Sequence, residues 1–345
     1  MGEVSGTQYE IRVAPNCQNA KFISNNLPRV LCKVVDLLQQ VFLGQFTEAL
    51  DCLEAIHIVP DGEISTYVHS IIQQYVSSGS YSLFDLRPAA TLPIEHNGKL
   101  LCNIVLEESE LAGVTPDGGI DAPTLSTILE ELLHVRLFLI MYKNGCTLHP
   151  TDDSSSLATS CYSEYAVSRW KSNILISGLL ASPEGEPQAV HLSSGEPLGP
   201  TIDLARVRFY SIITDTFEGK ISPDDAWSQL LSVLYRSLLE PLARESGYIA
   251  GDPEYNRDYG KASESQFYRE SVAHYWQLIQ KELDSSFMRE LEDIESTIKV
   301  IADVINDFLG YIGVYYQRVD KNQLRIHFDP PLSGKWLGTQ RLECP

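Results

Sequence analysis

Leu31, Val34, Val35, Leu37, Leu38, Val41 and Phe42 recur at helical spacing after Pro28, so the spacing predicts a helix over residues 28–50. Ala55-Ile-His-Ile-Val59 is a short apolar run closed by Pro60-Asp-Gly62, which reads as a strand ending in a turn. An amphipathic helix over Ile64 to Tyr75 follows. Two apolar runs, Ala89–Ile94 and Leu100–Leu106, are separated by a segment containing Asn97-Gly98, a pair that favours the left-handed backbone of a hairpin turn. A loop rich in glycine and proline (113–123) leads into a helix, Leu125 to Tyr142, that is apolar nearly all round and so predicts burial on several sides. A polar loop (144–160) separates it from a further helix, Tyr162 to Leu179.

Beyond Pro183, Gly185, Pro187, Gly195, Pro197 and Pro200 the pattern is mainly helical. Ser222-Pro-Asp-Asp-Ala-Trp227 is a helix start with a serine cap, proline in the first turn and acids facing the dipole. Helices over Gln266–Lys281 and Phe287–Phe308 follow, and Tyr311–Phe328 reads either as a closing hairpin around Asp320-Lys-Asn322 or, in its first half, as a continued helix. The expected fold class is α+β. A domain over 1–181 holds a small sheet, 182–202 is a linker, and 203–345 is a mainly helical domain.

Composition narrows the partners. Apolar residues make up 43% and charged residues 21% of the 345, the profile of a soluble globular chain. A formal charge of −20 argues against nucleic acid or an anionic membrane as partner, since either would be repelled over the whole surface. No apolar run is long enough to span a bilayer, and the opening Met1-Gly-Glu-Val-Ser-Gly-Thr lacks the regions of a secretory signal. Seven scattered cysteines without Cys-x-x-Cys fit reduced thiols, hence a cytoplasmic protein.

The helix over 125–142 also carries the chemistry. Glu130 and His134, four apart, share one face and could chelate one ion, with Glu131 alongside to hold a water. Two acids and a histidine on an otherwise apolar helix are costly unless cations or a metal neutralise them. Glu164, near the start of the next helix, is available as a third ligand if the two helices pack antiparallel.

Glu130-Glu-Leu-Leu-His134 followed by Ser163-Glu-Tyr-Ala-Val-Ser-Arg169 resembles the gluzincin branch of the zincin-like metallopeptidases. There, a helix bearing His-Glu-x-x-His is followed by a glutamate on a second helix. The chain is similar to uncharacterised bacterial proteins with Ala-His-Glu-x-Ala-His-Val-Glu and Asp-Glu-Tyr-x-Ala-x-Arg segments. It keeps Glu131, His134, Val135, Glu164, Tyr165, Ala166 and Arg169, and has Glu130 where the first histidine would stand. The resemblance covers about residues 30–175. It implies Glu130, His134 and Glu164 as metal ligands, Glu131 as general base, and a peptide ligand along a sheet edge near Leu100–Leu106.

Replacing the first histidine by glutamate changes the expected chemistry. Two carboxylates and one imidazole cancel the whole charge of a divalent ion, which then activates water less. The oxygen-rich set also shifts preference from zinc towards manganese or iron. The expectation is thus a degenerate metallopeptidase homologue with weak, altered or lost activity. The alternative is a non-catalytic interaction or regulatory protein, in which Glu130, Glu131 and His134 form a metal-free ion-pair cluster with Arg136 and Arg169. A di-iron reading of Glu54-x-x-His57 and Glu131-x-x-His134 needs both on helices, and the first lies in a β-branched run. Cys146 and Cys161 read as small buried residues, His149 as a surface histidine, and Glu270 with His274 as a solvated face.

Overall fold

In the computed structural model, residues 9–75, 87–177, 197–252, 254–255, 260–288, 293–320 and 323–329 are described. They fall into two compact units. One comprises 1–148, 166–192 and 250–253, the other 149–165, 193–249 and 254–345.

The first unit is built on a four-stranded sheet with order β1-β2-β4-β3. Its strands are β1 (Glu10–Val13), β2 (Leu53–Val59), β3 (Ala89–His96) and β4 (Lys99–Glu107). β1, β2 and β4 run parallel, while β3 is an antiparallel edge. Asn97 and Gly98 take positive φ (52° and 70°) and form the tight turn their dipeptide favours. Alternation along β3 assigns the two faces. Leu92 and Ile94 join Val59, Val105 and the apolar side of α3 (Ile64–Tyr75) in one core cluster. Thr91 points the other way, where its hydroxyl donates to the Glu131 carboxylate at 2.6 Å.

Glu131 belongs to α4 (Ala122–Lys143), which starts at an Asp121 cap whose carboxylate accepts the Thr124 N–H. Leu125, Ile128, Leu129, Leu132, Leu133, Val135, Leu137 and Met141 are all buried, so α4 is enclosed on several sides as its composition requires.

Several boundaries differ from expectation. The first helix, α1 (Ala20–Val41), begins well before Pro28, which it carries in its interior. It ends where Leu43 and Gly44 turn to positive φ, and α2 (Thr47–Cys52) resumes. The helix after α4, α5 (Asp153–Ile176), starts nine residues ahead of Tyr162 because Asp152 accepts the Ser155 N–H as a cap. The end of the expected linker is helical. Leu198–Phe217 form α6, with Pro200 tolerated in its first turn, while 182–196 lie outside the described residues. The two units also divide the chain elsewhere than at 181 and 203.

The second unit holds α6, α7 (Pro223–Leu234), α8 (Glu240–Gly251), α9 (Ala273–Met288), α10 (Ile294–Tyr311) and the hairpin β5 (Val314–Asp320) and β6 (Gln323–Phe328). Ser222 caps α7 through the Asp225 N–H. Trp227 stacks on Tyr316 with centroids 4.5 Å apart and donates to Asp153 at 3.1 Å, so the hairpin is tied to the start of α5. The carboxyl-terminal part of α8 enters the first unit. A Cβ on Gly251 would lie 2.4 Å from the Arg169 carbonyl oxygen and 2.8 Å from Ser172 Cβ.

Candidate metal centre

α4 presents Glu130 and His134 one turn apart, as helical spacing requires. α5 supplies Glu164 from the middle of the helix. One ligand atom from each of Glu130, His134 and Glu164 lies within 4.8 Å of the others. His134 is buried and both carboxylates are largely so.

Both carboxylates already hold cations. Lys171, only 2% exposed, places its ammonium on the Glu130 carboxylate, and Arg87 stands 3.9 Å from the other oxygen. Arg244 Nη1 lies 3.3 Å from Glu164 Oε2. His134 stacks on Phe138, one turn further along α4, with centroids 5.8 Å apart.

The donor chemistry suits a divalent ion, but the pairing does not. Ligand atoms around a tetrahedral zinc, at about 2.1 Å each, sit roughly 3.4 Å apart, so the cluster would have to contract. A dication would also adjoin a buried ammonium. Unit charges 4 Å apart at an effective dielectric of ~20 repel by about 4 kcal/mol, and a dication doubles that. Lys171 would have to leave first.

Glu131 does not share the face of Glu130 and His134. Its buried carboxylate accepts the hydroxyl of Thr91 on β3, which fixes it towards the sheet. The sheet edge is also placed differently from expectation. Leu100–Leu106 lie in β4, an internal strand hydrogen-bonded to β2 and β3. The open edges of this sheet are β1 and β3, and β3 carries Pro93, which cannot donate to an added strand.

Arg136 is absent from the ion-pair cluster expected of it; its guanidinium stacks on Phe42 and Trp170 instead. Lys171 was not singled out from the sequence, although its i+7 relation to Glu164 put it on the same side of α5. Cys146 and Cys161 are buried, and burial raises the Cys161 thiol well above its ordinary range. His149 is exposed in the loop before α5. Glu54 and His57 sit in β2, so they lack the helical setting of a di-iron motif.

Glu54 and His57 do share a polar network. Asn103 donates through Nδ2 to Glu54 Oε2 at 3.0 Å, and its Oδ1 faces His57 Nε2 at 3.1 Å. Because a carboxylate only accepts, the amide orientation follows and His57 must donate from Nε2. Tyr75 OH also donates to Glu54 Oε2. Burial would raise the Glu54 pKa, but the hydrogen bonds from Tyr75 and Asn103, with the charge of Arg12, bring it below the ordinary value. Burial lowers the pKa of His57. A register shift between Leu53 and Ala55 makes Glu54 the extra residue in the ladder, a feature not visible in the sequence.

No described helix is long and apolar enough to cross a membrane. Comparison with protein-family models, curated proteins and solved structures finds no match to this chain.

Proposed function

We propose that the chain is a degenerate zincin-type scaffold in which a buried ion pair has taken the place of the metal centre, and that it acts by binding rather than by hydrolysis. The observation that carries this reading is Lys171, whose ammonium neutralises Glu130 from a position 2% exposed. A buried carboxylate held by a buried cation is already compensated, so a dication brings repulsion instead of relief. Glu131, held by Thr91 of β3 instead of facing Glu130 and His134, fits a site that has given up its base. The six cysteines among the described residues are free thiols, which favours a cytoplasmic setting.

The convergence of Glu130, His134 and Glu164 favours a second reading, a weak metal-dependent peptidase with these three as ligands of zinc, manganese or iron and Glu131 as base. Metal analysis of the purified chain separates the two. The ion-pair reading expects no stoichiometric metal and no thermal shift on adding zinc or manganese. It also expects Lys171→Met to gain zinc affinity, and Glu130→His with Lys171→Met to gain more. One equivalent of metal in the wild-type protein, removed by chelation together with stability, would overturn it in favour of the peptidase reading.

A further inference from the structure

In a chain with 46 acidic and 26 basic side chains, an arginine ordinarily finds a carboxylate. Arg136, on α4, does not find one among the described residues. Its guanidinium carbon lies 4.0 Å from the centre of the Phe42 ring and 5.5 Å from that of Trp170. The two rings meet edge to face, 6.0 Å apart, and all three residues belong to the first unit. Arg136 Nε is buried without a hydrogen-bond partner, and no ion pair joins this arginine to another described residue. Burial alone lowers its pKa.

This arrangement does little for stability. A desolvated cation–π contact contributes about 2 kcal/mol, while a buried unsatisfied donor costs about 1–3 kcal/mol, so the two nearly cancel. A methionine would fill the slot between the rings without that cost. What the stack does supply is orientation. It holds the guanidinium carbon against two rings, and the planar fork of a guanidinium is the group that takes a carboxylate through two parallel hydrogen bonds.

The surroundings are apolar. Phe42 and Trp170 are half-buried, and Leu43, next in the chain to Phe42, is 90% exposed. Leu43 also holds a positive φ of 50°, a conformation that costs a branched side chain about 1–2 kcal/mol. The chain thus presents a large apolar side chain to solvent, and the nearby cation has no counter-ion among the described residues. The net charge of −20 disfavours polyanions such as phosphate esters and leaves a monoanion as the fitting ligand.

We propose that Arg136, held between Phe42 and Trp170, is a recognition site for a carboxylate bearing an apolar substituent. The carboxylate pairs with the guanidinium and the substituent lies against exposed Leu43 beside the half-buried rings. Such a ligand is either a small free acid or the carboxyl end of a peptide with an apolar last residue.

The test uses the full chain and three probes: N-acetyl-leucine, its uncharged analogue N-acetyl-leucinamide, and the peptide acetyl-Ala-Ala-Ala-Ala-Leu with a free carboxylate. Binding is read from tryptophan fluorescence and from the Arg136 Nε–H signal in 15N spectra, assigned by its absence in Arg136→Met. N-acetyl-leucine is expected to saturate both signals with a Kd on the order of 1 mM. The amide and Arg136→Met should bind at least tenfold more weakly. Arg136→Lys, which keeps the charge without the planar fork, should bind similarly weakly and serves if Arg136→Met does not fold. A peptide bound tenfold more tightly than N-acetyl-leucine identifies a chain end as the ligand; equal affinity identifies a small acid. Equal response to acid and amide, unchanged binding in Arg136→Lys, or no saturation by any acid up to about 10 mM would overturn the proposal.

Discussion

The ammonium of Lys171 on α5 rests on the carboxylate of Glu130 on α4, sealed from solvent at the lysine end. Within the first unit, α4 and the second half of α5 are therefore joined by an ion pair that the apolar pattern of neither helix predicts.

Removing one partner of such a pair costs more than removing both, because the survivor is left as an uncompensated buried charge. Lys171→Met is expected to lower unfolding stability by about 3–5 kcal/mol in urea titrations. Adding Glu130→Leu to that variant should recover most of the loss. A single variant as stable as wild type would mean that the pair is solvated or exchanged for another.

The network of Glu54, Asn103, His57 and Tyr75 gives stability a defined pH dependence. Glu54 titrates below its ordinary 4.5 in the folded chain, so its contribution is complete above 4.5 and is lost as pH falls through the folded value. His57 titrates below 6.5, so the unfolded chain takes up its proton first, and stability falls as pH drops from 6.5 towards the folded value. Both act in the same direction. His57→Gln should flatten the decline just below 6.5, and Tyr75→Phe should shrink the part below 4.5. Urea midpoints of wild type and variants across this range provide the check, and identical slopes would contradict the assignment.

Gly251 closes α8 against α5. Helix propensity alone would favour Gly251→Ala by up to about 1 kcal/mol. Its Cβ, however, would stand 2.4 Å from the Arg169 carbonyl oxygen, which is backbone and cannot rotate away. The expected outcome is a loss of about 2–3 kcal/mol, seen as a lower thermal midpoint. A rise would show that the two helices separate freely.

Leu43 allows a change of the opposite sign. Asparagine tolerates the left-handed region better than leucine, and this side chain is 90% exposed. Leu43→Asn is expected to stabilise by about 0.5–1 kcal/mol in chemical denaturation. If Leu43 contributes to ligand contact as inferred above, the same variant weakens binding of N-acetyl-leucine while stabilising the free chain.

Legibility in the sequence followed the range of the forces involved. α3 and the hairpin of β3 and β4 were read closely, because period and turn chemistry are local. The start of α7 was legible in Ser222-Pro223 for the same reason. β1 was missed, since four residues with alternating exposure make a strand only by pairing with β2. The early start of α1 was hidden by Pro28, which reads as a helix opening but stands inside one. Glu130, His134 and Glu164 were legible as a group through spacing and the resemblance. Their cations were not. Lys171 is distant in sequence from Glu130 and Arg244 from Glu164, so no local spacing links either pair.

α5 has a consequence for how the chain is made. Its first half counts with one unit and its second half with the other, and the first unit also takes in residues 250–253. Synthesis runs from the amino terminus, so the sheet and α4 leave the ribosome long before the segment around Gly251 that completes their unit. An amino-terminal fragment ending between the two halves would lack that segment, and a carboxyl-terminal one would lack the start of α5. A nascent chain of this design spends much of its synthesis with neither unit complete: the first can close only once residues 250–253 have emerged, and the second only after α9, α10 and the closing hairpin follow.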